Sequence, residues 1–570
     1  MSVQPTTSMP YTGRHYFVLG LLMAGFAVLA ARAVDLRVNH HEFLTGEGNA
    51  RHLRVVRVPA HRGMITDRHG EPLAVSTPVE SLWVNPRELA TERARWPDFT
   101  AVSGISADAL HRLIAEKIDK EFVYIRRHVA PAHADKILAL GLKGVYRQRE
   151  YRRYYPHAEV SAHVVGFTDI DEHGQEGLEL AFDSWLAGRD GAKRVIRDRL
   201  GRTIDNVESI RAPHQGRELR LSIDQRLQYL AYRALKGAVK RHRAKAASLV
   251  LVDAQSGEVL AAVNQPSYNP NARGRGSGGS LRNRVVTDVF EPGSTLKPFT
   301  VAVGMESGKY NGETLIETAP GRLRVGKHTI RDHRNYGTMD LRTVLMKSSN
   351  IGVTKIALDV EPKALWLSLS KLGIGQTTGS GFPGESKGIL THYEGWGDVH
   401  RATLSFGYGL SVTPLQLAQA YVALANDGEL KPLSFQLTDK IARGRQVIDE
   451  EVAREVRSML ESPVSAEGTA GRAAIAGYRV AGKTGTVRKP TPGGYSEDRF
   501  MSIFAGFAPA SAPRLVAVVV VDEPRGEKYY GGQVAAPVFR EVLAGALRLL
   551  GIAPDNPREL AGLEQQSESS

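Results

Sequence analysis

Gly477-Tyr478-Arg479-Val480-Ala481-Gly482-Lys483-Thr484-Gly485-Thr486 can be read in two incompatible ways, and the choice decides the fold. Its first eight residues fit the phosphate-loop pattern G-x-x-x-x-G-K-[ST] letter for letter. Its last four complete an ordered set with Ser294-Thr295-Leu296-Lys297 and Ser348-Ser349-Asn350, the residue types of an active-serine acyl-transfer site. A phosphate loop must open a helix, so that free N–H groups and the helix dipole face the phosphates. The ten residues after Thr484 hold three glycines and two prolines, Pro490 and Pro492 among them, and such a segment does not form a stable helix. The apolar run Leu515–Val521 ending in Asp522-Glu523 resembles a magnesium-holding strand, but too little chain remains for a nucleotide-binding sheet. The acyl-transfer reading is therefore preferred.

A second decoy lies upstream. Gly274-Arg275-Gly276-Ser277-Gly278-Gly279 fits G-x-G-x-x-G, but it follows Asn269-Pro270-Asn271 and not a strand. No helical pattern opens after it, so it reads as a flexible loop.

Each short motif of the serine set is weak alone: Ser368-Leu369-Ser370-Lys371 is a second Ser-x-x-Lys, and Ser267-Tyr268-Asn269 a second Ser-x-Asn. Order and context separate them. Glu291-Pro292-Gly293 halts the chain before Ser294 and apolar residues follow, which places Ser294 at a helix start with free N–H groups nearby. Lys297, three residues on, shares its helical face. Ser368 falls within a helix and reads as a surface turn.

Chemistry then assigns roles. A serine hydroxyl needs an adjacent base, and Lys297 serves only if its pKa falls from about 10.4 towards 7, roughly 4 kcal/mol of preference for the neutral amine. Burial and the charge of Lys483 push that way. Ser348 relays a proton between Lys297 and the leaving nitrogen, and Asn350 holds a substrate amide. Thr484 and Thr486 bind a substrate carboxylate. Gly485, without a side chain, lets substrate lie along the Ala481–Thr486 strand as an added strand. The backbone N–H groups of Ser294 and Thr486 form an oxyanion hole, in which one donor is typically worth about 2.7–4 kcal/mol.

The 570 residues allow more than one domain, and 42% apolar and 24% charged content is ordinary for globular protein. The formal charge of +13 suits an anionic partner or surface, but basic residues are spread along the chain. Clusters such as Tyr146–Arg153 join no aromatic-interleaved motif, so no nucleic-acid partner is expected. There is no cysteine among the 570 residues, which excludes disulfides, thiol catalysis and Cys-ligated metals. The 18 histidines form no His-Glu-x-x-His, and neither a metal nor a cofactor is expected.

Tyr16–Ala31 is apolar and uncharged, flanked by Arg14 and Arg32. Sixteen helical residues span about 24 Å against a hydrocarbon core of roughly 30 Å, a shortfall that snorkelling arginines supply. An uncleaved anchor is the preferred reading, with a cleaved signal peptide as the alternative because Ala31-Arg32-Ala33 fits a small-x-small site. Either way the bulk of the chain is exported. Residues 34–60 read as a stalk, and Gly63–Val207 as short strands mixed with amphipathic helices. A second unit opens near Leu219, where Asp224 caps a helix through Gln228 and Leu235. Ala247–Asp253 and Glu258–Asn264 read as a hairpin, as do Phe500–Ala508 and Arg514–Asp522, and Val538–Leu550 as a closing amphipathic helix. The fold class is α+β, a mainly antiparallel sheet covered by helices.

The motif set resembles that of the penicillin-binding proteins. Arg62-Gly63-Met64-Ile65-Thr66-Asp67-Arg68 with Gly70 and Leu73-Ala74 is similar to the first N-terminal motif of class B members. Arg153-Tyr154-Tyr155-Pro156, Ala162-His163-Val164-Val165-Gly166 and Gly174-Gln175-Glu176-Gly177-Leu178-Glu179 are similar to later ones. Gly407-Tyr408-Gly409-Leu410-Ser411-Val412-Thr413-Pro414 and Tyr530-Gly531-Gly532 also fit. Physically, the N-terminal motifs read as turns and buried ion pairs.

The resemblance implies a short cytoplasmic segment (1–15), a transmembrane anchor (16–33), an elongated dimerisation-like pedestal (34–215), a transpeptidase domain (216–553) and a polar disordered tail (554–570). It implies peptidoglycan D,D-transpeptidation of the division-specific (FtsI) type: Ser294 attacks D-alanyl-D-alanine, releases D-alanine and passes the acyl group to an amine of a neighbouring stem. Ser294, Lys297, Ser348 and Lys483 are then catalytic, and Asn350, Thr484, Gly485 and Thr486 bind substrate. Implied partners are stem peptides and their lipid-linked precursor, a membrane glycan polymerase, other division proteins, and β-lactams as covalent inhibitors. The implied place is the inner membrane, single-pass, with the catalytic domain in the periplasm. Many division-type members read Lys-Ser-Gly where this chain has Lys483-Thr484-Gly485; the hydroxyl is kept, and an elongation-type relative or a paralogue stays open.

Rival readings are a D,D-carboxypeptidase, a non-catalytic β-lactam sensor and a serine β-lactamase. The last needs a base to activate deacylating water, and no Glu-x-x-Leu-Asn lies between Asn350 and Lys483.

Overall fold

The computed structural model describes residues 12–40, 53–197, 203–272, 278–438 and 440–557. Most of the expected cytoplasmic segment, the loop reading at 274–277 and most of the tail from Pro554 lie outside this set. Thr12–Val38 forms one helix, α1, of 27 residues, about 40 Å long. The shortfall expected from Tyr16–Ala31 disappears because the helix runs on through Arg32 and Asp35, which pair at 2.5 Å. Among the described residues it is the one helix long and apolar enough to cross a membrane.

The chain divides into two compact units, each built from separated segments, and α1 is grouped with the first. The first comprises residues up to 60 together with 80–150 and 189–214. Its strands β1 (Leu53–Val58), β2 (Gly191–Arg197) and β3 (Thr203–Arg211) pair antiparallel in that order. The stalk reading is thus corrected at Leu53–Val58: its β-branched run finds a partner in β2, with Val58 opposite Gly191. A separate apolar cluster gathers Leu82, Trp96, Phe99, Leu110, Ile114 and Ile137. Ser106 caps the helix Ala107–Glu116 by accepting from Ala109 N.

The second unit comprises 61–79, 151–188 and 215–570. Its frame is helix α2 (Gln225–His242), strands β4 (Ala246–Asp253) and β5 (Val259–Gln265), helix α3 (Lys297–Glu306), strands β6 (Arg322–Val325) and β7 (His328–Arg331), helices α4 (Asn350–Asp359) and α5 (Pro414–Ala425), strands β8 (Ala481–Thr491), β9 (Gly494–Ala508) and β10 (Leu515–Asp522), and helix α6 (Gly531–Leu549). Asp224 caps α2 as its position predicts, accepting from Arg226 N. The five-stranded sheet runs β5-β4-β10-β9-β8, antiparallel throughout.

Alternation explains the unbroken apolar strands. Leu249, Leu251, Ala517, Val519 and Val521 pack with Leu227 of α2 and Phe539 of α6, whereas Val250, Val252, Val516, Val518 and Val520 pack with Phe299 of α3 and Leu417 of α5. Both faces are covered, so the central runs Leu249–Val252 of β4 and Leu515–Val521 of β10 carry no polar residue. Helix α6 starts seven residues before the predicted Val538. Val534, Ala535 and Ala536 are buried against the sheet, and that packing outweighs the break expected at Pro537.

The N-terminal motifs of this unit hold the buried ion pairs their composition suggests. Glu179, completely buried, receives Arg62 at 2.7 Å and Arg153 at 2.6 Å, and Arg62 also reaches Asp183 at 2.7 Å.

Candidate active site

Lys483 and Thr484 lie inside strand β8, opposite Ala505 and Phe504 of β9. No helix opens after Thr484, so the phosphate-loop reading is excluded. Asp522 and Glu523, the candidate magnesium ligands of that reading, are tied to Lys489 at 2.7 and 2.8 Å. Strand β8 is the edge of its sheet, which leaves one row of backbone groups available for an added strand.

Ser294 sits in a tight 3-10 turn, Gly293–Leu296, that runs directly into α3. Three contacts hold the turn. Thr295 Oγ1 donates to Pro292 O at 2.7 Å, the Tyr421 hydroxyl of α5 donates to Thr295 O at 2.9 Å, and Gly293 N donates to Gly407 O at 3.1 Å. Gly407 has φ +84°, and a Cβ there would lie 2.2 Å from Gly293 O. The Gly407-Tyr408-Gly409 stretch thus needs glycine to approach the serine turn this closely. Gly409 N in turn donates to Glu291 Oε1 at 2.8 Å.

Lys297, completely buried, reaches across to the Ser348–Asn350 loop. Its Nζ donates to Ser348 O at 2.5 Å, Ser348 Oγ at 3.1 Å and Asn350 Oδ1 at 2.8 Å. Ser348 has φ +59°, a left-handed conformation unfavourable for a residue with a side chain. It turns the chain between the helix Leu341–Lys347 and α4, so that both its carbonyl and its hydroxyl face Lys297. Burial is the main force pushing the Lys297 ammonium well below its ordinary range. The charge of Lys483 adds to the fall and Asp332 opposes it. Burial alone brings Lys483 down to about 7. Lys483 Nζ is enclosed and has no hydrogen-bond partner among the described residues.

Asp332 escaped the sequence reading. Its carboxylate accepts from Ser349 Oγ at 2.5 Å, Asn350 N at 2.5 Å and Ile351 N at 3.1 Å, and so fixes the loop at the start of α4. The signal was present: Asp332 is the one acid in the basic stretch 321–334. Asn350 spends one amide hydrogen on Arg331 O at 2.9 Å and one lone pair on Lys297, which leaves one of each for a ligand.

The hydroxyls of β8 are also placed. Thr484 Oγ1 donates to Thr469 Oγ1 at 3.0 Å, and Thr486 Oγ1 accepts from Gly531 N at 2.9 Å, so the Thr486 hydrogen remains free to donate. Gly531 lies at the first turn of α6, and a Cβ there would be 2.4 Å from both Gly485 O and Ile503 O. Gly485 has a packing role that the sequence reading did not anticipate. A Cβ would meet Pro292 O at 3.0 Å and Thr295 Cγ2 at 3.2 Å, so its bareness brings β8 against the serine turn. Phe500 stacks on Tyr529 and Tyr529 on Tyr530, with ring centroids 4.2 and 4.5 Å apart.

The second Ser-x-x-Lys is not at this site. Ser368 lies in the helix Pro362–Lys371 as predicted, but it is buried and not on a surface turn, and its hydroxyl has no partner among the described residues.

Comparison with known proteins agrees with this geometry. Residues 247–544 match the penicillin-binding protein transpeptidase domain and residues 57–221 the penicillin-binding protein dimerisation domain. The chain is 42% identical to the probable peptidoglycan D,D-transpeptidase PbpC of Pseudomonas aeruginosa, over 95% of this chain and 96% of that one. It is 43% identical to the peptidoglycan D,D-transpeptidase FtsI of Escherichia coli, over 95% and 92% respectively. A solved peptidoglycan synthetase of Bifidobacterium adolescentis superposes with a TM-score of 0.71 at 26% identity, covering 88% of this chain and 98% of that chain.

Proposed function

The chain belongs to the class B penicillin-binding proteins, it is a peptidoglycan D,D-transpeptidase and a covalent target of β-lactams, and we propose that Ser294 is the residue acylated. The observation that carries the assignment is the bridge from buried Lys297 to Ser348 and Asn350. It joins two of the three sequence motifs, and Gly485 brings the third against the serine turn.

In this reading neutral Lys297 takes the Ser294 proton as Oγ attacks the carbonyl of the penultimate D-alanine. Ser348 passes that proton to the departing D-alanine nitrogen. The tetrahedral oxyanion is received by the backbone N–H groups of Ser294 and Thr486. Asn350 holds a substrate amide with its remaining hydrogen and lone pair. Lys483, and the Thr484 and Thr486 hydroxyls, face the terminal carboxylate, and substrate adds to the β8 edge. An amine of a second stem then attacks the acyl-enzyme carbonyl; Lys297 takes the amine proton by way of Ser348 and delivers it to the departing Ser294 Oγ, which restores the free serine.

The apolar helix α1 supports a single-pass anchor in the inner membrane, with the chain that follows it in the periplasm. The likeness to FtsI supports septal work beside a membrane glycan polymerase and other division proteins, with lipid-linked precursor as the source of stems. Depletion of the chain is the test of that role: filamentous cells with incomplete septa are expected, and round cells that still divide would point to elongation.

A further inference from the structure

The hairpin β6–β7 lies in the second unit and has two unlike faces. Val325 and Ile330 are buried and pack on Ile351 and Ala402, with Leu323 alongside. The other face presents Arg322, Arg324, Thr329 and Arg331, all exposed. Residues 321–334 hold four arginines and one lysine against a single acid, Asp332. That acid is consumed by Ser349, Asn350 and Ile351. None of the five cations has an ion pair among the described residues. Arg324 Nε finds only the carbonyl of Gly326.

The register sharpens this. Arg322 stands directly opposite Arg331, and Arg324 opposite Thr329. Like charges opposed across a ladder are destabilising, so this arrangement costs stability in the free chain and is relieved by an anion between the strands. Arg322 and Arg324 are two residues apart on one strand, about 6.6 Å. An extended peptide presents alternate side chains at the same interval, and each guanidinium fork suits one carboxylate. The hairpin is also joined to the site: Arg331 O accepts from Asn350 Nδ2, and Ile351, on which the inner face packs, follows Asn350 in the chain.

We propose that Arg322, Arg324 and Arg331 form an anion-binding platform that takes the carboxylates of a peptidoglycan stem peptide beside the Ser348–Asn350 loop. The proposal rests on the reading of that loop as part of a stem-peptide transpeptidase.

The test uses the full chain in detergent and the double variant Arg322→Gln/Arg324→Gln, neither of which belongs to the serine site. Binding of a labelled stem peptide with free carboxylates is compared with that of the same peptide amidated at each carboxylate. The variant is expected to bind the free-carboxylate peptide about tenfold more weakly, and the amidated peptide as the parent does. The parent's preference for the charged peptide shrinks between about 20 and 500 mM salt. Melting temperature is expected to hold or rise, because a repulsive pair is removed. Equal loss for both peptides, no loss for either, or a fall in melting temperature would overturn the proposal. So would a parent that binds inorganic pyrophosphate but not the carboxylate peptide. Penicillin acylation is measured in parallel; a parent that is not acylated contradicts the roles given to the serine site, whereas the peptide comparison reads the hairpin alone.

Discussion

Lys297 and Lys483 carry the residue-scale argument, because two enclosed ammonium groups are tolerated only if they give up protons. Lys297 is depressed by burial and by its neighbour. The fall favours its neutral form, and acylation by penicillin should decline as pH is lowered through its folded value. Lys297→Ala is expected to lose acylation by at least about a hundredfold, the scale of a positioned base, with the fold intact by circular dichroism. For Lys483 the ordinary value is 10.5 and the folded value about 7. Between these the unfolded chain binds a proton that the native chain does not, so native stability rises with pH across that window. The contribution is complete above about 10.5 and lost as pH falls through about 7. Denaturant midpoints at pH 6.5 and 9.5 should show this rise in the parent and not in Lys483→Met. Asp332→Ala removes three bonds to the Ser349–Ile351 backbone and hydroxyl, and bonds to a charged group are worth about 1.5–3 kcal/mol each. Acylation is expected to slow by ten- to a hundredfold, and an unchanged rate would deny Asp332 its positioning role. Order and spacing singled out the eight candidate site residues, and the structure joins Lys297, Ser348 and Asn350 among them by hydrogen bonds. Asp332 was not singled out, because its importance lies in a loop-to-loop contact that no spacing encodes.

At the scale of elements, the site is made by close approaches of backbone. Strand β8, the serine turn and the first turn of α6 meet at Gly485, Gly293 and Gly531, where a side chain has no room. Gly531→Ala places a methyl 2.4 Å from two carbonyl oxygens. An overpacking cost of about 1–3 kcal/mol is expected, with slower acylation because Thr486 loses the Gly531 N–H. A variant with parent stability and parent rate would show that α6 can shift freely. The hairpins and the α2 cap were readable from alternation and from Asp224. The length of α1 and the start of α6 were not: in both, tertiary or helical continuity overrode a local stop signal, Arg32 in one and Pro537 in the other. The strand at Leu53–Val58 was missed because its partner, Gly191–Arg197, is over 130 residues away.

At the scale of the whole molecule, sequence order and structural units part company. The expected boundary between pedestal and transpeptidase domain was residue 215, and the two family matches change over between 221 and 247, while the compact unit that holds the serine site also gathers 61–79 and 151–188. Glu179 ties these two segments through Arg62 and Arg153. Glu179→Ala leaves buried Arg153 without a carboxylate and Arg62 with Asp183 alone, and a loss of about 3–5 kcal/mol is expected. Limited proteolysis should then cut within 61–79 or 151–188 first. The account as a whole stands on Ser294 as the acylated residue. Intact mass and peptide mapping of the full chain after exposure to a penicillin test it most directly. One adduct per chain, on Ser294 and persisting for many minutes, is the predicted result. Folded protein that takes no adduct, or takes it on another residue such as Ser368, would contradict it.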